Sequence, residues 1–126
     1  MTTLPAAARA YIGTPFRHRG RKPTGVDCAG LVVLAKRAIG IELLDFRLYG
    51  AEPHLDGLVK HVIAALGEPQ AIAPLRLADL RSGDVVVMRY EVDPHHIGII
   101  GNKQYGDIES LTLIHADGWA GRVHEQ

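Results

Sequence analysis

Apolar residues recur along this chain in two rhythms, and the change falls near residue 80. In the first part the spacing is helical. Ala6 to Ile12 is alanine-rich and follows Pro5, which suits a short first helix. Gly13, Pro15, Gly20, Pro23 and Gly25 then punctuate a loop. Cys28, Leu31, Val32, Ala35, Ala38 and Ile39 fall at helical intervals and share one face. Asp27 is the expected N-cap of that helix, which runs to about Ile39 and stops at Gly40. Asp45 to Gly50 reads as irregular. Another helix is predicted over Pro53 to Leu66, with Leu55, Leu58, Val59, Val62 and Ile63 apolar and Gly67 as its stop. Leu75 to Leu80 fits neither period.

Beyond Ser82-Gly83-Asp84, a turn signal, the pattern becomes that of strands. Val85-Val86-Val87-Met88 is a β-branched run expected to be buried. Glu91-Val92-Asp93-Pro94 reads as a turn. His96 to Ile100 follows as a strand with His96, Gly98 and Ile100 on one face and Ile97 and Ile99 on the other. Leu111 to His115 is a third strand, in which alternation groups His115 with Leu111 and Leu113 on the side expected to point inward. Asp117-Gly118-Trp119-Ala120-Gly121 is a glycine-rich turn before Arg122-Val123-His124. Helices first and strands later imply an α+β domain with an antiparallel sheet. No repeat, linker or low-complexity stretch divides it, so residues 1–126 are read as one domain.

Composition narrows the function classes. The apolar share of 47% is enough for a core without disulfides, and a lone cysteine excludes an intrachain bridge. Lysine plus arginine (14) equals aspartate plus glutamate (14), so charge gives no push toward nucleic acid. No apolar run approaches the ~20 residues that span a bilayer, and no Sec-type signal is seen. Cytoplasmic synthesis without membrane insertion is the expectation. Arg17, His18, Arg19, Arg21 and Lys22 cluster just before Cys28. They read either as a solvated loop or as a cationic lip for carboxylate-bearing substrates.

Cys28 is the chemical centre of this reading. A cysteine in the first helical turn meets unbonded backbone N–H groups and the positive end of the helix dipole, both of which favour thiolate. The same N–H groups suit a developing oxyanion. Asp27 opposes ionisation as a like charge, less so if it caps the helix. Unpaired cysteine is also among the most buried residue types, so Cys28 reads equally as core. His96 is the candidate base, with Gly98 leaving space beside its ring; an exposed turn histidine is the plainer reading. His95 points the other way if the strand already starts there. His115 is the candidate third group that orients the base, and Asp117 is held in reserve. No His-Glu-x-x-His spacing and no cysteine pair occurs, so neither metal nor cofactor is expected.

These residues also carry a resemblance. Gly13-Thr14-Pro15-Phe16, Gly20, Asp27-Cys28-Ala29-Gly30-Leu31-Val32, Ser82-Gly83-Asp84-Val85, His96-Ile97-Gly98-Ile99 and Ile114-His115-Ala116 occur together and in order. The chain resembles the NlpC family of papain-like cell-wall cysteine peptidases. The resemblance implies a papain-like fold, with the cysteine helix packed on an antiparallel sheet. It implies Cys28 as nucleophile, His96 as base and His115 as third member. Asp27, Phe16, Arg17, Gly20 and Arg21 would line the oxyanion or substrate region. The substrate implied is a peptidoglycan stem peptide, cleaved through a thioester. The stretch from Arg17 to Gly25 is most similar to the branch found in phage tails and gene transfer agents, with tail-tip or virion proteins as partners. Phe16 stands where many members have tyrosine, Arg19 replaces one glycine of a common pair, and Ala29 replaces a common serine. The rival expectations are an inactive structural tail component with the same fold, and an acyltransferase or amidase using the same groups.

Overall fold

The computed structural model describes residues 2–45, 58–67, 79–90 and 93–126. The expected irregular segment at 46–50, the first turn of the helix expected from Pro53 and most of the ambiguous run from Leu75 lie outside them. The side chain of His95 also lies outside.

Thr3 opens the first helix, α1 (Leu4–Arg9), by accepting the N–H of Ala6, and Pro5 occupies its first turn. Regular helix ends three residues before Ile12, the expected limit. Tighter bonds from Tyr11 N–H to Ala8 and from Ile12 N–H to Arg9 carry the chain onward to Gly13. The loop that follows contains a small antiparallel ribbon missed by the hydrophobic pattern, β1 (Arg21–Lys22) with β2 (Gly25–Val26). The cysteine helix, α2 (Cys28–Ala38), begins and ends as its caps predict, with Asp27 at the N-cap and Gly40 at φ +87°. A third helix, α3 (Leu58–Leu66), stops at Gly67.

The strands form one antiparallel sheet in the order β3 (Val85–Tyr90), β4 (Asp93–Tyr105), β5 (Ile108–Asp117), β6 (Arg122–Glu125). Two expectations are corrected. Asp93 and Pro94 belong to β4 rather than to a turn. β4 also runs on to Tyr105, where Gly106-Asp107 makes a two-residue hairpin into β5. Gly106 has φ +61°, the left-handed backbone that such a turn requires.

Register assigns the two faces. Ile99 pairs with Ile114, and Ala116 with Val123. With Ile97, these residues join Leu31, Val32, Ala35 and Ala8 in the core, so both α1 and α2 pack on this face. The inward side of β5 is therefore Thr112, Ile114 and Ala116, not the Leu111–Leu113–His115 side expected; Leu111 is 40% exposed. His115 is nevertheless buried, because the opposite face carries its own cluster of rings. Arg9 fastens α1 to the sheet through both oxygens of Glu125 and the carbonyl of Asn102. The helices, the antiparallel sheet and the core between them make an α+β, papain-like architecture. Among the described residues no helix is long and apolar enough to cross a membrane.

Candidate active site

The start of α2 is held by one carboxylate. Asp27 Oδ1 accepts the N–H of Gly30 at 2.8 Å and Arg21 Nη1 at 2.9 Å, while Oδ2 accepts the N–H of Arg19 at 2.9 Å. Arg21 also donates to both oxygens of Asp45, and its side chain is only 5% exposed. Backbone meets backbone here. A Cβ on Gly30 would stand 2.0 Å from the carbonyl oxygen of Gly20, and one on Gly20 would stand 2.3 Å from that of Gly25. The loop and the helix start are thus locked at a separation only glycine allows.

This bracing corrects two expectations. Arg21 and Asp27 do not line an open substrate surface; they are buried partners of each other. Arg17, His18, Arg19 and Lys22 remain on the exposed lip. Phe16 is half-buried against the core and beside the Gly118 turn, with its N–H bonded to the carbonyl of Gly121.

Cys28 itself is 8% exposed. Its thiol is pushed up from the ordinary 9.0 to about 11, first by burial and then by the charge of Asp27. Backbone N–H groups of Ile97 and Ala29 at the sulfur, and the charge of Arg21, pull the other way and lose. The helix-start argument for a low pKa is therefore overturned: capping by Asp27 does not cancel its repulsion, and burial outweighs the amides. The hydrogen bond from Ile97 is informative in another way. It brings the sulfur to β4 one residue past His96, just ahead of the point where β4 begins to pair with β5, at Ile99.

His96 pairs with Met88 on β3 immediately beside a register slip between Met88 and Arg89, the kind of irregularity that re-aims a side chain. Its Nε2 lies 2.7 Å from Nδ1 of His115. The two rings meet edge to face with centroids 4.9 Å apart, and both are buried. Gly98 makes this possible: a Cβ there would lie 2.7 Å from Leu113 Cδ1 and 3.3 Å from His115 Cβ. Burial, and next the charge of His124, lower the His115 pKa, so its ring is neutral at neutral pH. Asp117, the reserve for the third position, is engaged elsewhere. It accepts the N–H of Trp119 at 2.9 Å and lies 3.3 Å from His124 Nε2. The Trp119 ring is 99% exposed.

The sequence reading missed His124 as a member of this ring cluster. Its centroid is 4.5 Å from that of His115 because the two residues are direct cross-strand neighbours. The signal was available in the short turn after Asp117, which fixes that register. A surface depression lined by Leu80, Ser82, Asn102 and Glu109 lies toward the hairpin end of β4 and β5 and contains neither the thiol nor these rings.

The arrangement thus has a thiol at a helix start and a buried pair of imidazoles on an adjacent strand face. The NlpC/P60 family pattern matches residues 13–121. Over 98 residues the chain is 34% identical to "Probable endopeptidase Rv2190c" of Mycobacterium tuberculosis and to "Probable endopeptidase Mb2213c" of Mycobacterium bovis. The match covers 78% of this chain, which spans about a fifth (20%) of the length of those relatives. In fold it is similar to the NlpC/p60 domain of the peptidoglycan hydrolase SagA, with TM-score 0.58 and 20% identity over 98% of this chain and 86% of that one. From the loop glycines through the cysteine helix to the histidine strands, the chain belongs to the NlpC/P60 family.

Proposed function

We propose that this chain is a cysteine peptidase that hydrolyses amide bonds in peptidoglycan stem peptides. The observation that carries this reading is the 2.7 Å contact between His96 and His115, one residue from the amide that meets the Cys28 sulfur. The names of the relatives, endopeptidases and a peptidoglycan hydrolase, support the same substrate class.

The proposed chemistry follows from the rings. His96 Nε2 faces His115, so Nδ1 is the ring nitrogen that serves the thiol. With Cys28 resting as neutral thiol, the proton passes to His96 as the sulfur attacks the carbonyl carbon. His96 becomes imidazolium and donates from Nε2 to the lone pair on His115 Nδ1. The C–N bond breaks and His96 gives its proton to the leaving amine. Water then attacks the thioester, His96 takes its proton, and the acid leaves with the thiol restored. The N–H of Cys28 is the proposed oxyanion donor, and the exposed lip of Arg17, Arg19 and Lys22 the carboxylate-binding surface. A role on a phage-tail or gene-transfer-agent particle is the finer proposal, supported by the stretch from Arg17 to Gly25.

Mass spectrometry of muropeptides tests the reading. Wild type should release new fragments with a free carboxylate and a free amine, and Cys28→Ala should release none. Burial of Cys28 and its raised pKa favour one rival, a structural component that has lost the reaction. Failure of a thiol-directed activity probe to label folded Cys28 would select that rival.

A further inference from the structure

The face that holds His96 and His115 continues past them. His115 lies directly across from His124 in the β5–β6 register, and Asp117 follows two residues later, across from Arg122. Ligand atoms of His115, Asp117 and His124 lie within 4.8 Å of one another. Tetrahedral zinc with ligands at about 2.0–2.1 Å sets neighbouring ligand atoms ~3.3 Å apart. His124 Nε2 and Asp117 Oδ2 are already 3.3 Å apart.

A separate observation points into the same space. His115 is 3% exposed, and its Nε2 has no hydrogen-bond partner among the described residues. The Gln126 side chain approaches this ring and raises its affinity for a proton, but the contact lacks the geometry of a full hydrogen bond to Nε2. The other nitrogen is committed to His96. A buried polar atom left without a partner is costly, and a bound cation would supply one.

We propose that His115, Asp117 and His124 form a site for a divalent transition-metal ion, zinc by its ligand chemistry, whose occupation switches off the Cys28–His96 pair. Two imidazoles and a carboxylate suit zinc with a fourth position for water. The Asp117 and His124 side chains are each 24% exposed, which gives the ion a path from solvent. Arg122 is the cation across from Asp117, and its exposure limits the repulsion it exerts.

The switch half rests on the proposed thiol chemistry. Metal on Nε2 of a neutral His115 requires the ring proton on Nδ1. That N–H then faces His96 Nε2, where the imidazolium must place its own N–H. Two donors oppose each other at 2.7 Å, so His96 can no longer take the thiol proton.

Calorimetric titration with Zn2+, and Co2+ absorption as a ligand-field probe, test the site on wild type and Cys28→Ala. One ion per chain should bind both. His124→Gln and Asp117→Asn should each weaken binding by at least about 100-fold, more than the 10–100-fold typical of losing an outer partner. Circular dichroism checks that the variants fold. In wild type, 15N spectra should show zinc-induced shifts at both His115 and His124, a readout independent of any substitution. Loss of binding in Cys28→Ala, binding unchanged in a folded variant, or unshifted ring nitrogens overturns the site. Zinc should also inhibit muropeptide hydrolysis by wild type and spare His124→Gln. Equal inhibition of the two overturns the switch. Absence of hydrolysis in metal-free wild type defeats the peptidase reading and the switch with it, while the binding arm still decides the site.

Discussion

The two halves of the candidate site are built by opposite means. The thiol half is over-determined. One carboxylate holds three donors, one arginine bridges two aspartates, and two glycines let backbone touch backbone. The imidazole half is held by ring against ring across three strands, and it leaves a buried nitrogen without a full hydrogen bond among the described residues. Rigid placement thus belongs to the proposed nucleophile, and adjustable protonation to the proposed base. The proposed thiol chemistry, which needs its sulfur in one place but its protons mobile, would gain from that division.

Substitutions can break the contrast, beginning with the largest expected effect. His96→Ala should cost the full contribution of a general base, ~10²–10⁴ in kcat/KM, and should also lower the melting temperature, because it leaves the buried Nδ1 of His115 without its partner. His115→Ala should cost less and alter the pH profile, because its proposed role is to orient the base; steady-state rates across pH separate the two. Asp27→Ala acts on the other half. Removing one partner of a buried ion pair costs ~3–5 kcal/mol, read by urea denaturation, and Asp45 retains part of the Arg21 interaction.

The raised thiol sharpens the comparison. In the unfolded chain Cys28 ionises near its ordinary value of 9.0, and in the folded chain at about 11. Its contribution to stability is therefore full below pH 9 and is lost as pH climbs toward 11. The loss should be about 2–3 kcal/mol and absent in Cys28→Ala, measured as denaturation midpoints against pH. His95→Ala should leave hydrolysis unchanged, the smallest effect of the set; a large loss would mean that the register of β4 was misread.

Much of this was legible in the amino-acid pattern, for reasons that differ by element. The cysteine helix carried its own caps in Asp27 and Gly40, so its limits followed from local chemistry. Alternation set His96 and Gly98 on one face of β4. The choice of inward face on β5 was misread, because leucines at 111 and 113 outweighed the smaller Thr112 and Ala116, and only the arrival of α1 and α2 decides between them. The hairpin at Gly106-Asp107 had a local signal that went unused. The thiol pKa could not be read locally, since burial is a property of the assembled core and outweighs the amides of one helical turn. His124 is not visible along one element: it meets His115 through strand pairing, and only the short turn after Asp117 signals that register.

The solvent-facing indole of Trp119 has a practical corollary. It is the chain's single tryptophan, and it sees water in the native state as it would in the denatured one. Emission wavelength should therefore barely move when the protein melts, and fluorescence will understate unfolding that circular dichroism records. Yet the Trp119 amide is anchored on Asp117, so the same dye-like residue is well stationed to brighten or dim when something occupies the turn.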